Sequence, residues 1–394
     1  MMVRQWVTGN SVAVTGSCLG LLSLPFGWLT LKASRLTAGT SLRLWDAFSW
    51  GVAAAIIVLW LLCLALSLAE RDKRHAITIG ITANAILILT FIFAGPAANR
   101  LTATGAEFAR VSLSAGVWVT VAAVYMLVFA ARQSLPDYRV WQNLISWTGL
   151  AAVVILLFTG WLNNISVVQE FLGRESRFQQ ELVKHIFLFG GSVIAGTIIG
   201  IPLGIWAARN RRAERPIFYF ANITQTIPSL ALFGLLIAPL SALSFAFPVL
   251  REFGIRGVGA APALIALIIY SLLPIVRNTF VGLRQLDPAV IDAGLGMGMS
   301  RPQVFRRLEV PLAAPLVLEG VRTASVQAVG LTAVAALIGA GGLGWFVFQG
   351  LGQAAPDLII LGAIPIIVLA LFVDAVMRTI VRVSTPKGLA TGTS

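Results

Sequence analysis

The side chains that do most enzymatic and ion-handling chemistry are scarce in this chain of 394 residues, which holds sixteen carboxylates, four lysines, two histidines and two cysteines. Their positions exclude several functions. A loop that cradles nucleotide phosphates reads G-x-x-x-x-G-K-[ST], but Lys32, Lys73, Lys184 and Lys387 are followed by Ala, Arg, His and Gly. Any ATP hydrolysis must come from another polypeptide. His75 and His185 stand alone, and Cys18 and Cys63 lie in apolar stretches, so no metal-ligand spacing, disulfide framework or His-based catalytic apparatus can be written. An ion-coupled carrier places acids at membrane depth. Only Asp374 and Glu319 fall inside apolar runs, and Arg322, three residues after Glu319 and on the same helical face, is expected to form an ion pair that locks helices together, with Arg277 as a further candidate member. We expect no catalytic residue, no metal and no cofactor on this chain.

The segment Leu286–Pro315 is too polar to span a bilayer, yet its residues are not those of a random linker. Asp287 followed by Pro288 starts a helix, with an N-cap acceptor and then a proline whose missing N–H costs nothing there. Gly294, Gly296 and Gly298 weaken that helix and allow a turn. Ser300 with Gln303 gives a capping-box pattern for a second short helix. In it Val304, Phe305 and Leu308 share one face, while Arg301, Arg306 and Arg307 make the element basic. Val310, pushed extended by Pro311, is expected to end it. From these residues two readings stand, an amphipathic piece lying on lipid or a dock for a soluble partner.

The elements that position this loop are apolar spans. Hydrophobic residues make up 58% of the chain and charged ones 11%, against roughly 45–50% and about 25% in soluble domains, so this is a polytopic membrane protein. Its net charge of +13 fits basic loops held at anionic lipid; we expect no nucleic acid partner. With about 20 apolar residues needed per crossing, ten candidate helices are read at 11–31, 48–69, 76–97, 111–131, 144–163, 184–208, 217–243, 259–283, 315–340 and 357–381. The fold class is all-α. The first run, broken by Gly20, Pro25 and Gly27, is taken as an uncleaved span rather than a signal peptide. With the N-terminus inside, inner segments carry seventeen Lys and Arg against ten outside, which places both termini in the cytoplasm. The expected organisation is a membrane extension over 1–163, a polar outer linker over 164–183, a second membrane domain over 184–384 and a tail over 385–394.

Other features carry weaker signals. Gly196, Gly200 and Gly204 permit close helix approach and are read as packing. Gln225–Ser229 puts polar groups and a proline inside an apolar span, where they line a cavity more often than lipid. The Gly339–Gly344 run allows a sharp turn, either a plain one or one at a pore mouth. Most tryptophans, including Trp28, Trp45, Trp50, Trp141, Trp147, Trp161 and Trp345, fall near span ends as an aromatic belt.

The spacing Asp292-Ala293-Gly294-x3-Gly298-x9-Leu308-x-Val310-Pro311 resembles the EAA loop of binding-protein-dependent ABC importer permeases, Glu-Ala-Ala-x3-Gly-x9-Ile-x-Leu-Pro, with Asp for Glu, Gly for the second Ala, Leu for Ile and Val for Leu. Gln225–Leu230, Leu273–Thr279 and Ile338–Gly344 resemble the quaternary-amine branch of that family, over about 178–384, and the long hydrophobic N-terminal half resembles the Yeh-type osmoprotectant permeases. The resemblance implies a five-helix type I importer core preceded by about five extra helices, in a bacterial inner membrane. It implies a second permease copy or homologous permease, a cytosolic ATPase dimer that holds the ATP, and a periplasmic substrate-binding protein. The ATPase-coupling residues it implies are Asp287, Asp292, Ala293, Gly294, Gly298, Arg301, Arg306, Arg307, Leu308 and Pro311. Pathway candidates are Gln225, Thr226, Pro228, Ser229, Tyr270 and Asn278. The alternative is a self-contained channel or ion-coupled carrier for a small zwitterion.

Overall fold

The computed structural model describes residues 10–34, 37–69, 72–103, 108–252 and 254–386. Arg4, Arg35, Arg71 and Lys387, used in the orientation count, and most of the 385–394 tail lie outside them. The chain divides into two compact units, Met1–Gly173 and Arg174–Ser394.

In the first unit, α1 (Ser11–Leu22) is followed by strands β1 (Leu29–Lys32) and β2 (Thr40–Leu42), a short α2 (Leu44–Ala47), α3 (Trp50–Leu68), α4 (Lys73–Ala103), β3 (Arg110–Leu113), α5 (Ala115–Gln133), α6 (Arg139–Phe158) and α7 (Ser166–Leu172). The expected span over 11–31 is therefore corrected. Asn10 caps α1 by accepting from Ala13 N–H, but the helix has only 12 residues, about 18 Å of rise. Beyond Pro25 and Gly27 the chain pairs as a strand, with β1 between β2 and β3 in an antiparallel sheet that sets Leu29 opposite both Leu42 and Leu113. The all-α expectation thus acquires one small sheet. α1 packs on α3 and α5 because glycines let it close in: a Cβ on Gly20 would fall 2.2 Å from the Trp60 ring.

The second unit runs α8 (Glu175–Arg209), α9 (Arg211–Thr226), α10 (Ser229–Ala246), α11 (Val249–Glu252), α12 (Ala260–Arg284), α13 (Pro288–Gly296), α14 (Arg301–Val304), a π turn (Phe305–Glu309), α15 (Val310–Ala335), α16 (Gly344–Gly352) and α17 (Pro356–Ser384). Among the described residues nine helices are long and apolar enough to cross a bilayer, not ten. The 164–183 stretch forms α7 and the first turns of α8. One further expectation changes: the run 217–243 is broken at Ile227–Pro228. Pro228 supplies no N–H there, and Ile227 before it is extended at ψ 127, as a residue preceding proline prefers.

The frame of this unit is the contact of α8 with α12, and of α12 with α15. Gly196, Gly200 and Gly204 face α12, where a Cβ would fall 1.9 Å from Ser271 Oγ, 2.9 Å from Ile275 Cγ2 and 2.6 Å from Thr279 Cβ respectively. The glycine stripe read from the sequence is a helix–helix seam. On the other side of α12, Gly320 of α15 lies against Asn278 and the Pro274 carbonyl. This frame holds the root of the polar loop that follows α12.

Candidate functional site

The loop between α12 and α15 is a helical hairpin built by local chemistry. Asp287 Oδ1 accepts from Ala289 N–H at 2.9 Å, with Pro288 in the first turn. α13 ends through Gly298, whose φ of +84° needs a left-handed backbone although a Cβ there would touch nothing. Ser300 N–H donates to Gln303 Oε1 at 2.7 Å and opens α14. Gly294 is buried, and a Cβ on it would lie 2.7 Å from Leu308 and 3.5 Å from Val304, so the two arms close on an apolar seam.

That closure uses the apolar face of α14 inside the hairpin. Asp287, Asp292, Ala293, Arg301, Arg306, Arg307 and Pro311 are left exposed, together with Val290 and Met297. The outward surface is mixed in charge with apolar spots. It suits a protein partner better than a lipid face, which needs an open apolar stripe. One expectation is corrected here. Val310 is helical (φ −62°, ψ −50°) rather than extended, and the second arm runs straight into α15. The π turn widens the helix just before Pro311 and re-phases the carbonyl that a proline ring would strike one turn back.

The pathway candidates separate into two places. Gln225 Nε2 donates to the Tyr270 carbonyl at 2.8 Å, and Tyr270 Oη donates to the Ile227 carbonyl. The helix break at Ile227–Pro228 is thus tied to α12 by reciprocal bonds, and a carbonyl freed by the missing helical turn is satisfied. Pro228 and Ser229 begin α10 beside it, while the Thr226 hydroxyl donates back to Ile223 in its own helix. Asn278 does not join them. It lies eight residues further along α12, about 12 Å of rise, and donates to Pro274 of its own helix.

The sequence reading missed two clusters. Glu181, fully buried, accepts from Gly342 N–H at 2.6 Å and pairs with Arg177 at 2.9 Å and Lys184 at 3.3 Å. One turn on, His185 Nδ1 accepts from Leu343 N–H, which leaves the ring proton on Nε2 to donate to the Val329 carbonyl at 3.1 Å. Together they clamp the Gly339–Gly344 turn to α8. The available signal was the i, i+4 spacing of Glu181, at the end of the stretch read as linker, and His185, at the start of the next span. The second missed pair is Arg209 with Glu309, where α8 ends against the loop. The expected ion pair in the apolar runs is present and larger than anticipated: Arg322 binds Glu319 and Asp374, each at 2.6 Å, and Arg378 binds Asp374 at 2.6 Å. Among the described residues Arg277 adds no ion pair to it; its side chain is exposed.

Comparison with known proteins gives the same division. Residues 200–385 match the family model for the binding-protein-dependent transport system inner membrane component, and residues 8–168 match the N-terminal domain of the ABC transporter permease YehY. The chain is 37% identical to the glycine betaine/carnitine/choline transport system permease protein OpuCB of Bacillus subtilis, over 52% of this chain and 88% of that protein. Against the choline transport system permease protein OpuBB of Bacillus subtilis the identity is 38%, over 52% and 88%. The osmoprotectant import permease protein OsmW of Salmonella typhimurium is 39% identical, over 52% and 91%. These matches, the apolar helices and the closed hairpin between α12 and α15 agree: this multi-pass membrane protein belongs to the family of binding-protein-dependent ABC importer permeases.

Proposed function

We propose that this chain forms the substrate pathway of an importer for osmoprotectant-type quaternary amines such as glycine betaine, choline or carnitine. The observation that carries the substrate class is the 37–39% identity to permeases named for those solutes, across nearly nine-tenths of their length. In this reading a periplasmic binding protein delivers the solute to a pair of permeases, this chain with a second copy or a homologue. A cytosolic ATPase dimer holds the ATP and docks on residues 287–311. The exposed carboxylates and arginines of the closed hairpin support that dock. The C-terminus then lies in the cytoplasm with the 287–311 loop, and the Gly339–Gly344 turn on the outer side.

Uptake of radiolabelled glycine betaine, choline and carnitine by cells expressing the complete system tests the substrate class. Uptake of at least one is expected; uptake of none, with clear transport of a sugar or metal chelate, refutes it. Docking is tested separately with Gly298→Glu, which forces a bulky acid into the left-handed position of the hairpin. Solute-stimulated ATPase activity of the reconstituted complex should drop at least about tenfold, a barrier of about 1.4 kcal/mol, while the chain remains inserted. Unaltered stimulation sinks the dock.

A further inference from the structure

The π turn Phe305–Glu309 is the exit of the loop into α15, and it gathers an unusual set of groups. Its hydrogen bonds reach one residue further than in an α helix, so residues four apart come nearly into register and Phe305 and Glu309 face one way. What they face is Arg209, the last residue of α8. Its guanidinium pairs with Glu309 Oε2 and lies 5.4 Å from the centre of the Phe305 ring. The Glu309 side chain is only 8% exposed although its neighbours Arg306 and Arg307 point outward. A carboxylate this buried with one cationic partner is strongly held to it, because separation leaves an uncompensated charge.

An apolar crevice lies beside the Phe305 end of this cluster. Ile201 and Ile205, on the same stripe of α8 as Arg209, line a crevice of about 230 Å³ with Thr279, Leu283, Phe305 and Val310. Near its opposite end α8 carries Glu181 and His185, which grip the Gly339–Gly344 turn through Gly342 and Leu343 N–H. Between Glu181 and Arg209 the helix rises about 42 Å, more than the thickness of a bilayer core. One helix therefore has a charged clamp at each end, the inner one on the loop and the outer one on a glycine turn.

We propose that the Arg209–Glu309 pair, with Phe305, is the positioning element that carries movement of the loop into α8 and so to the Gly339–Gly344 turn. The proposal rests on the reading that the loop docks an ATPase. A displacement of the docked loop pulls Glu309, Arg209 follows, and α8 shifts against its glycine seam with α12. The far clamp then moves the turn.

The test uses the complete complex in lipid nanodiscs, with Cys18 and Cys63 replaced by Ala and a reporter, Leu337→Cys, placed just before the turn where the native side chain is 48% exposed. Adding MgATP should change the alkylation rate of that cysteine at least about threefold. In Arg209→Gln the ATPase subunit should still co-purify while the ATP-dependent change disappears. The charge exchange Arg209→Glu with Glu309→Arg should restore at least half of it. An ATP-independent rate in the parent, full ATP dependence in Arg209→Gln, or an exchange variant no better than the single one overturns the proposal. Loss of the ATPase subunit in Arg209→Gln also overturns it, since the pair then merely folds the loop. Failure of the parent chain to co-purify an ATPase refutes the docking reading itself, and the role of this pair falls with it.

Discussion

The seam between α8 and α12 predicts a large effect from a single methyl group. At Gly204 an added Cβ lies 2.6 Å from Thr279 Cβ, 2.9 Å from Thr279 Cγ2 and 2.9 Å from the Val276 carbonyl oxygen. Neither neighbour can step aside. A β-branched side chain on a helix has one or two rotamers and its Cβ is fixed by the backbone, and the carbonyl is backbone. Gly204→Ala must push the helices apart by up to about 0.8 Å, the shortfall from ordinary contact at 3.4 Å. Overpacking of this kind costs about 1–3 kcal/mol, and separation also thins the contacts at Gly196 and Gly200 along the seam. Gly190→Ala is the control. It sits on the same helix with nothing within 4 Å of the new methyl. Both substitutions gain the same helix preference of alanine over glycine, about 0.5–1 kcal/mol, so the difference between them isolates the clash. Unfolding of the purified chain in mixed micelles, followed by the fluorescence of its eleven tryptophans, should show Gly190→Ala slightly stabilised and Gly204→Ala about 1–3 kcal/mol below it. Equal midpoints would mean that the glycines are not what lets α8 approach α12, and the packing account fails.

Three further outcomes are expected. In the first unit Asn84 inserts its amide into α6, donating to the Ile145 carbonyl and accepting from Gly149 N–H at 2.7 Å; Asn84→Ala should lower stability by about 1 kcal/mol, the scale of polar bonds between membrane helices, and an unchanged midpoint contradicts that tie. Tyr270→Phe removes the hydroxyl that holds Ile227 at the helix break; it should cost about 1 kcal/mol and slow solute uptake several-fold, and wild-type uptake would mean the break is fixed by other contacts. For orientation, single cysteines at Ser176 and Ala354 in a Cys18→Ala/Cys63→Ala background should react with an impermeant reagent from outside, and one at Ser300 should not. Outside labelling of Ser300 inverts the topology and removes the loop from any cytosolic ATPase.

What could be read from the residues was whatever is decided within a few positions. Asp287-Pro288 and Ser300 with Gln303 start helices because the bond that caps each is local, Asp287 accepting from the N–H two residues on and Gln303 accepting from the Ser300 N–H three residues back, and both starts are where the pattern put them. Glycines four apart on α8 were legible as a seam for the same reason, since periodicity alone puts them on one face. Hydropathy over 11–31 misled because it counts apolar residues and not their hydrogen-bond partners. Leu29–Lys32 pairs on one side with Thr40–Leu42, about ten positions on, and on the other with residues 110–113, some eighty positions away, and nothing local marks the second pairing.

The polar residues divide the same way, and the division has a physical cause. Glu181 looked like a linker residue with Arg177 and Lys184 as local charge partners, and His185 like a lone polar residue at the start of a span; the partners that bury them are backbone N–H groups 161 and 158 positions later. Glu309 looked like one more charge in a basic loop, while its burial depends on Arg209, a hundred positions earlier. A buried polar group must be paired, so a polar residue with no local partner either faces water or waits for a distant one, and sequence alone cannot choose between the two. In an apolar chain the second outcome is the consequential one. With only 11% charged residues, each such pairing fixes one helix against another, and the two found at the ends of α8 fix the loop at one end and the glycine turn at the other.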